Sequence, residues 1–129
     1  MTMAWCFPEE ATQQTEAVFD SLAGEHEIFV PVLWPYEVSN VLLGAVRRQR
    51  ISSAKAKEFI DDLESLDIRM DDGTGLVWET VYTLAERHRL TTYDAAYLEL
   101  AQRKQLPLAS LDGQLNSAAR EVGIEMIEA

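Results

Sequence analysis

The sequence predicts an α/β fold in three layers, with a mainly parallel sheet covered by helices on both faces. Three observations predict it. Short apolar runs rich in β-branched residues alternate with stretches whose apolar residues recur at helical spacing. No repeat, low-complexity tract or Pro/Gly/Ser linker divides the 129 residues, so 1–129 reads as one domain. At 47% hydrophobic, the chain has the apolar mass for a single core.

The elements follow in order. Ala11–Ala23 carries Ala11, Thr15, Val18, Phe19 and Leu22 at helical spacing, with Gly24 placed to end the helix. Ile28–Val32 is a short apolar run and reads as a buried strand. Pro35 stands where a first-turn proline belongs and opens a helix through about Arg48, striped by Val38, Val41, Leu42, Ala45 and Val46. Ser52 or Ser53 can cap the next helix, whose stripe is Ala56, Phe59, Ile60 and Leu63. Its acids Glu58, Asp61, Asp62 and Glu64 read as a solvated face. A minimal strand at Ile68–Met70 precedes the turn-rich residues 71–75. Helices at Leu76–His88 and Thr92–Lys104 follow, then strand Leu106–Ser110, helix Asp112–Glu121 and strand Ile124–Ile127. The chain opens differently from its type: Met1–Phe7 reads as the loop and helix that follow a strand.

Composition narrows the function classes. Eleven basic against twenty-two acidic residues leave a net charge of −11, which argues against sequence-blind coating of nucleic acid. It is compatible with a nucleic-acid enzyme whose carboxylates hold metal ions. The single cysteine, Cys6, excludes an internal disulfide and a cysteine-rich zinc site, and suits a reducing, cytoplasmic setting. No apolar run approaches the roughly 20 residues of a membrane span, and no basic start precedes an apolar stretch in Met1–Glu10.

In an open parallel sheet, ligands bind beyond the carboxyl ends of the strands. Three carboxylates fall there. Glu37 lies in the first turn after Ile28–Val32, with Asn40 three residues on along the same edge. An ordinary acidic first-turn residue would look the same. Asp94 sits in a helix that is apolar nearly all round, where a carboxylate is rarely buried unless paired, capped or bound to a cation. Asp112 follows strand Leu106–Ser110, where it or Ser110 could equally cap the last helix. Together, three acids from separate strand ends suit a hard divalent cation, Mg²⁺ or Mn²⁺, able to activate water against a phosphodiester. His26 falls outside the strand ends, and His88, at helical spacing from Leu84 and Val81, reads as a core histidine. No Gly-rich phosphate loop or Ser-centred elbow competes.

These residues bring the chain close to a known family. Residues 4–10 (AWCFPEE), 30–40 (VPVLWPYEVSN), 90–101 (LTTYDAAYLELA) and 108–112 (LASLD) resemble PIN-domain proteins, in particular the VapC-type ribonuclease toxins of toxin–antitoxin pairs. The resemblance implies a PIN-like α/β/α fold, Mg²⁺- or Mn²⁺-dependent cleavage of RNA, homodimers and a cognate antitoxin. It makes Glu37, Asp94 and Asp112 three of the family's four acids, the catalytic metal ligands, with Asn40 and Ser110 as supporting polar residues. The family's first acid is an Asp ending a first strand that lies centrally in the sheet. The sequence begins after that point, so an N-terminally incomplete domain is expected.

Arg47, Arg48, Arg50, Lys55 and Lys57 form a basic run without an acid among them and are candidate RNA contacts, although Arg47 and Arg48 also suit a helix C-terminus. A catalytically impaired PIN-fold module, pairing with an antitoxin or itself, is the competing expectation. A receiver-like signalling domain lacks its lysine and acidic cluster here. Trp5, Trp34 and Trp78 are candidate dimer anchors, with core packing as the alternative.

Overall fold

A computed structural model describes residues 27–127. The expected helix Ala11–Ala23, and Trp5, Cys6 and His26, lie outside them. Strand β1 (Ile28–Pro31) pairs in parallel with β2 (Ile68–Asp71), Ile28 opposite Ile68 and Pro31 opposite Asp71. The Val32 N–H donates to the Asp71 carbonyl at 3.2 Å, carrying the ladder past the proline.

Helices α1 (Trp34–Arg47) and α2 (Ser53–Ser65) connect the two strands. Pro35 sits in the first turn of α1, where its missing N–H is no loss. Ser52 caps α2 by accepting from the Lys55 N–H at 3.1 Å. The predicted stripes meet. Val38, Leu42, Ala45, Ala56 and Leu63 form one buried cluster, with Trp34, Phe59 and Ile60 packed against it. Glu58, Asp61, Asp62 and Glu64 are exposed, as a solvated face should be.

The expected helix Leu76–His88 is instead three pieces. A 3-10 turn at Thr74–Leu76 leads into a π turn at Val77–Val81 and then α3 (Tyr82–His88). Gly73, Thr74 and Gly75 are weak helix formers, which delays the regular helix. The wider π turn sends Val81, Leu84 and Ala85 inward while Trp78 and Tyr82 remain exposed. Arg89, in the left-handed region at φ 57°, ends α3.

Helix α4 (Thr92–Lys104) and helix α5 (Gly113–Glu121) complete a second cluster. It contains Val81, Leu84, Ala85, Ala95, Leu98, Ala101, Leu108, Leu115, Ala118 and Ala119. The expected strands Leu106–Ser110 and Ile124–Ile127 contract to one parallel bridge between Leu108 and Met126. Its bonds run from the Leu108 N–H to the Glu125 carbonyl and from the Ile127 N–H to the Leu108 carbonyl, both 2.9 Å. Pro107 has no N–H to extend the ladder, which limits the pairing. The architecture is α/β with parallel pairing, as predicted. Among the described residues, no helix is long and apolar enough to cross a membrane.

A polar contact ties α4 to the end of β2. Glu99 on α4 is buried and charged. Arg103, one turn on, donates from Nε to Glu99 Oε1 at 2.6 Å and from Nη1 to Asp71 Oδ1 at 3.2 Å. The forked guanidinium thus joins α4 to the end of β2. It holds the Asp71 carboxyl below the ordinary carboxylate range.

Candidate functional site

Each predicted acid begins from a helix start. Glu37 is the fourth residue of α1 and exposed. Its Oε1 accepts a 2.6 Å hydrogen bond from the Tyr97 hydroxyl on α4. Tyr97 is half-buried. Burial, first, and then the Glu37 carboxylate and the Asp94 charge push its phenol far above the usual range, so the hydroxyl keeps the proton it donates to Glu37.

Asp94 is the third residue of α4, one turn before Tyr97. Thr91 caps the helix by accepting the Asp94 N–H at 3.1 Å. Burial raises the Asp94 carboxyl above its ordinary value, and the negative charge of Asp112 adds to the rise against an opposing Thr91 hydrogen bond. Asp112 is the N-cap of α5, its Oδ1 accepting the Leu115 N–H at 2.8 Å. The capping role that rivalled a ligand role at this position is therefore real.

Ser110 Oγ accepts the Asp112 N–H at 3.0 Å, so this residue stands beside the acid. Asn40 is exposed on α1, three residues past Glu37. Two contributors were missed in the sequence. Tyr97 was readable at three residues from Asp94, on the same helical edge, but its partner sixty positions away was not. Asn116 donates from Nδ2 to the Ser110 carbonyl at 3.0 Å, and its buried Oδ1 has no hydrogen-bond partner.

The structure brings Asp94 into electrostatic reach of Asp112, and Glu37 onto a residue of the Asp94 helix. It does not close the expected cage. Among the described residues, no three acidic, histidine or cysteine side chains stand together closely enough to hold an ion. Like charges repel, and Glu37 and Asp112 each spend an oxygen on a protein donor. The donor chemistry nevertheless fits a hard cation. Two coupled carboxylates, one kept partly from water, are a charge deficit that Mg²⁺ or Mn²⁺ would relieve.

The basic run lies elsewhere. Arg47 ends α1, ten residues past Glu37, about 15 Å along the helix axis. Arg48, Arg50, Lys55 and Lys57 continue beyond it, all exposed. His88 is a core histidine, with its side chain 6% exposed and Nδ1 3.1 Å from Glu121 Oε2.

Comparison with known proteins decides the family. The PIN-domain family profile matches residues 3–121. The chain belongs to the PIN-domain family. This PIN domain is 31% identical over 109 residues to Ribonuclease VapC3 of Pyrobaculum aerophilum, covering 84% of the chain and 81% of that relative. It is 32% identical over 124 residues to Ribonuclease VapC1 of Mycobacterium tuberculosis, covering 85% of the chain and 91% of that relative.

Proposed function

We propose that this PIN domain is a metal-dependent endoribonuclease, the toxin of a type II toxin–antitoxin pair, acting on RNA phosphodiesters in the cytoplasm. Two relatives carry the name ribonuclease. The observation that carries the reading is the placement of Asp94 in the first turn of α4 and Asp112 at the N-cap of α5, near enough for the Asp112 charge to act on Asp94. Glu37, Asp94 and Asp112 are the residues that would hold Mg²⁺ or Mn²⁺. When bound, such an ion neutralises charge on the phosphodiester and activates the attacking water. Tyr97 fixes one Glu37 oxygen. Ser110 and the α5 N-terminus orient Asp112, and Asn40 lies along the Glu37 edge.

The test is cleavage of RNA in Mg²⁺ and in Mn²⁺. Activity lost in chelator and in Asp94→Asn is expected. Cleavage indifferent to both overturns the assignment.

A second reading is favoured by the open cage: a PIN-fold module that binds an antitoxin or a second copy without cutting RNA. Metal-dependent turnover separates the two. The first reading includes an antitoxin partner and a homodimer, and the second an antitoxin or a second copy. Trp78, 87% exposed, is the anchor such a dimer would use, whereas Trp34 packs on the α1–α2 cluster. Sedimentation as a strict monomer at high micromolar concentration would remove the dimer.

A further inference from the structure

Between the end of α3 and one side of α5 lies an open hollow of about 200 Å³, lined by His88, Gly113, Gln114, Ser117, Ala118 and Glu121. None of Glu37, Asp94 and Asp112 lines it. Gln114, Ser117, Ala118 and Glu121 recur at helical spacing, so its floor is one stripe of α5, about 12 Å long from Gly113 to Glu121.

His88 gives the hollow an unmet acceptor. A carboxylate only accepts, so Nδ1 carries the proton that it donates to Glu121 Oε2 at 3.1 Å. In the neutral ring Nε2 then holds a lone pair. That atom is buried and without a hydrogen-bond partner, on a side chain only 6% exposed. Buried polar atoms are nearly always satisfied, so an orphaned Nε2 points to a donor from outside the described residues.

Charge selects the donor. The lining holds one carboxylate and no Lys or Arg. Arg87, Arg89 and Arg120 are chain neighbours that do not line it. Its Glu121 end also lies at the C-termini of α3 and α5, where helix dipoles are negative. A nucleotide phosphate is repelled there, and a cation bearing several N–H groups is attracted. A guanidinium has five donors and no acceptor, in a planar fork that matches a carboxylate. The volume falls below the roughly 300–1,000 Å³ of sites for whole small ligands, and suits a side chain. Free arginine would bring its own carboxylate towards Glu121 with no lining cation to receive it.

We propose that the hollow between α3 and α5 receives an arginine side chain of a protein partner. Glu121 takes the guanidinium fork and His88 Nε2 accepts a further N–H, with Gln114 and Ser117 offering oxygens beside them. Nothing in this arrangement depends on RNA cleavage.

The test follows the His88 ring nitrogens by ¹⁵N NMR in the full chain during titration with end-blocked Gly-Arg-Gly. We expect a saturable shift at Nε2, with affinity about tenfold weaker when citrulline replaces arginine or when the protein carries Glu121→Gln. Glu121 is exposed, so that variant keeps the fold. His88→Phe should abolish the accompanying shifts of the Gln114 and Ser117 amides. If the citrulline peptide binds as tightly as the arginine peptide, recognition of a cation is overturned. If Nε2 does not move at high millimolar peptide, the atom is met by water alone and the site is overturned. Tighter binding of free arginine would assign the hollow to an amino acid, and of guanosine monophosphate to a nucleobase, and either would overturn the protein partner.

Discussion

The Tyr97 hydroxyl donates to Glu37 Oε1 at 2.6 Å, joining the first turn of α1 to the helix that carries Asp94. A hydrogen bond to a charged acceptor contributes about 1.5–3 kcal/mol. Tyr97→Phe keeps the ring in the second cluster and removes only the donor. Glu37 should then be less well held, with RNA cleavage falling about tenfold or more and the melting temperature falling by several degrees. Steady-state rates beside a thermal scan check this.

Asp94→Asn should abolish cleavage without unfolding the domain. It removes a half-buried charge that Asp112 repels, so stability in urea should hold or rise. A marked loss of stability would mean that the carboxylate is structural.

Asp112 has two jobs that substitution separates. Asp112→Ala loses the α5 cap and should cost about 1 kcal/mol, whereas Asp112→Asn keeps the cap. If the charge also serves the site, Asp112→Asn lowers cleavage at unchanged stability, more mildly than Asp94→Asn.

Arg103→Met leaves Glu99 buried without its partner. We expect a loss of about 2 kcal/mol, below the range for fully buried pairs because the Arg103 side chain is 35% exposed. Restoring an apolar match with Glu99→Leu in the same chain should recover part of it. Chemical denaturation of the single and double variants measures both steps.

The same contact sets an acid limit. Asp71 has a folded pKa below its unfolded value of about 3.9. Its contribution is therefore complete above the unfolded pKa and is lost as pH falls through the lower folded value. Urea midpoints followed downward from about pH 5 should decline more steeply in the parent protein than in Arg103→Met.

Local signals were legible. Pro35, a serine cap at Ser52 or Ser53, a cap at Asp112 or Ser110, and the stripes of α1 and α2 each follow from chemistry within a few residues. Glu37 does follow a strand and Asp112 the bridge at Leu108, in keeping with the alternating pattern. Asp94 follows helix α3, so its expected place after a strand is not what the structure has. What the sequence hid was long-range or subtractive. The π turn depends on how Val81 and Leu84 reach the core, and the ladder at Leu108 is cut short by Pro107. Tyr97 with Glu37, and Arg103 with Asp71, pair across sequence distances where side-chain periodicity carries no information.

Among the described residues the buried apolar side chains fall into two clusters, and the acids divide between them. Glu37 rises from the helix pair of one, while Asp94 and Asp112 rise from helices of the other. Polar fastenings, Tyr97 to Glu37 and Arg103 to Asp71, cross the seam. The described residues can thus be viewed as two exchange units fastened beside the reactive groups by side-chain polar contacts. Amide protons on α1 and on α4 would then exchange with different opening energies. A ligand clasped between the acids would merge those energies into one.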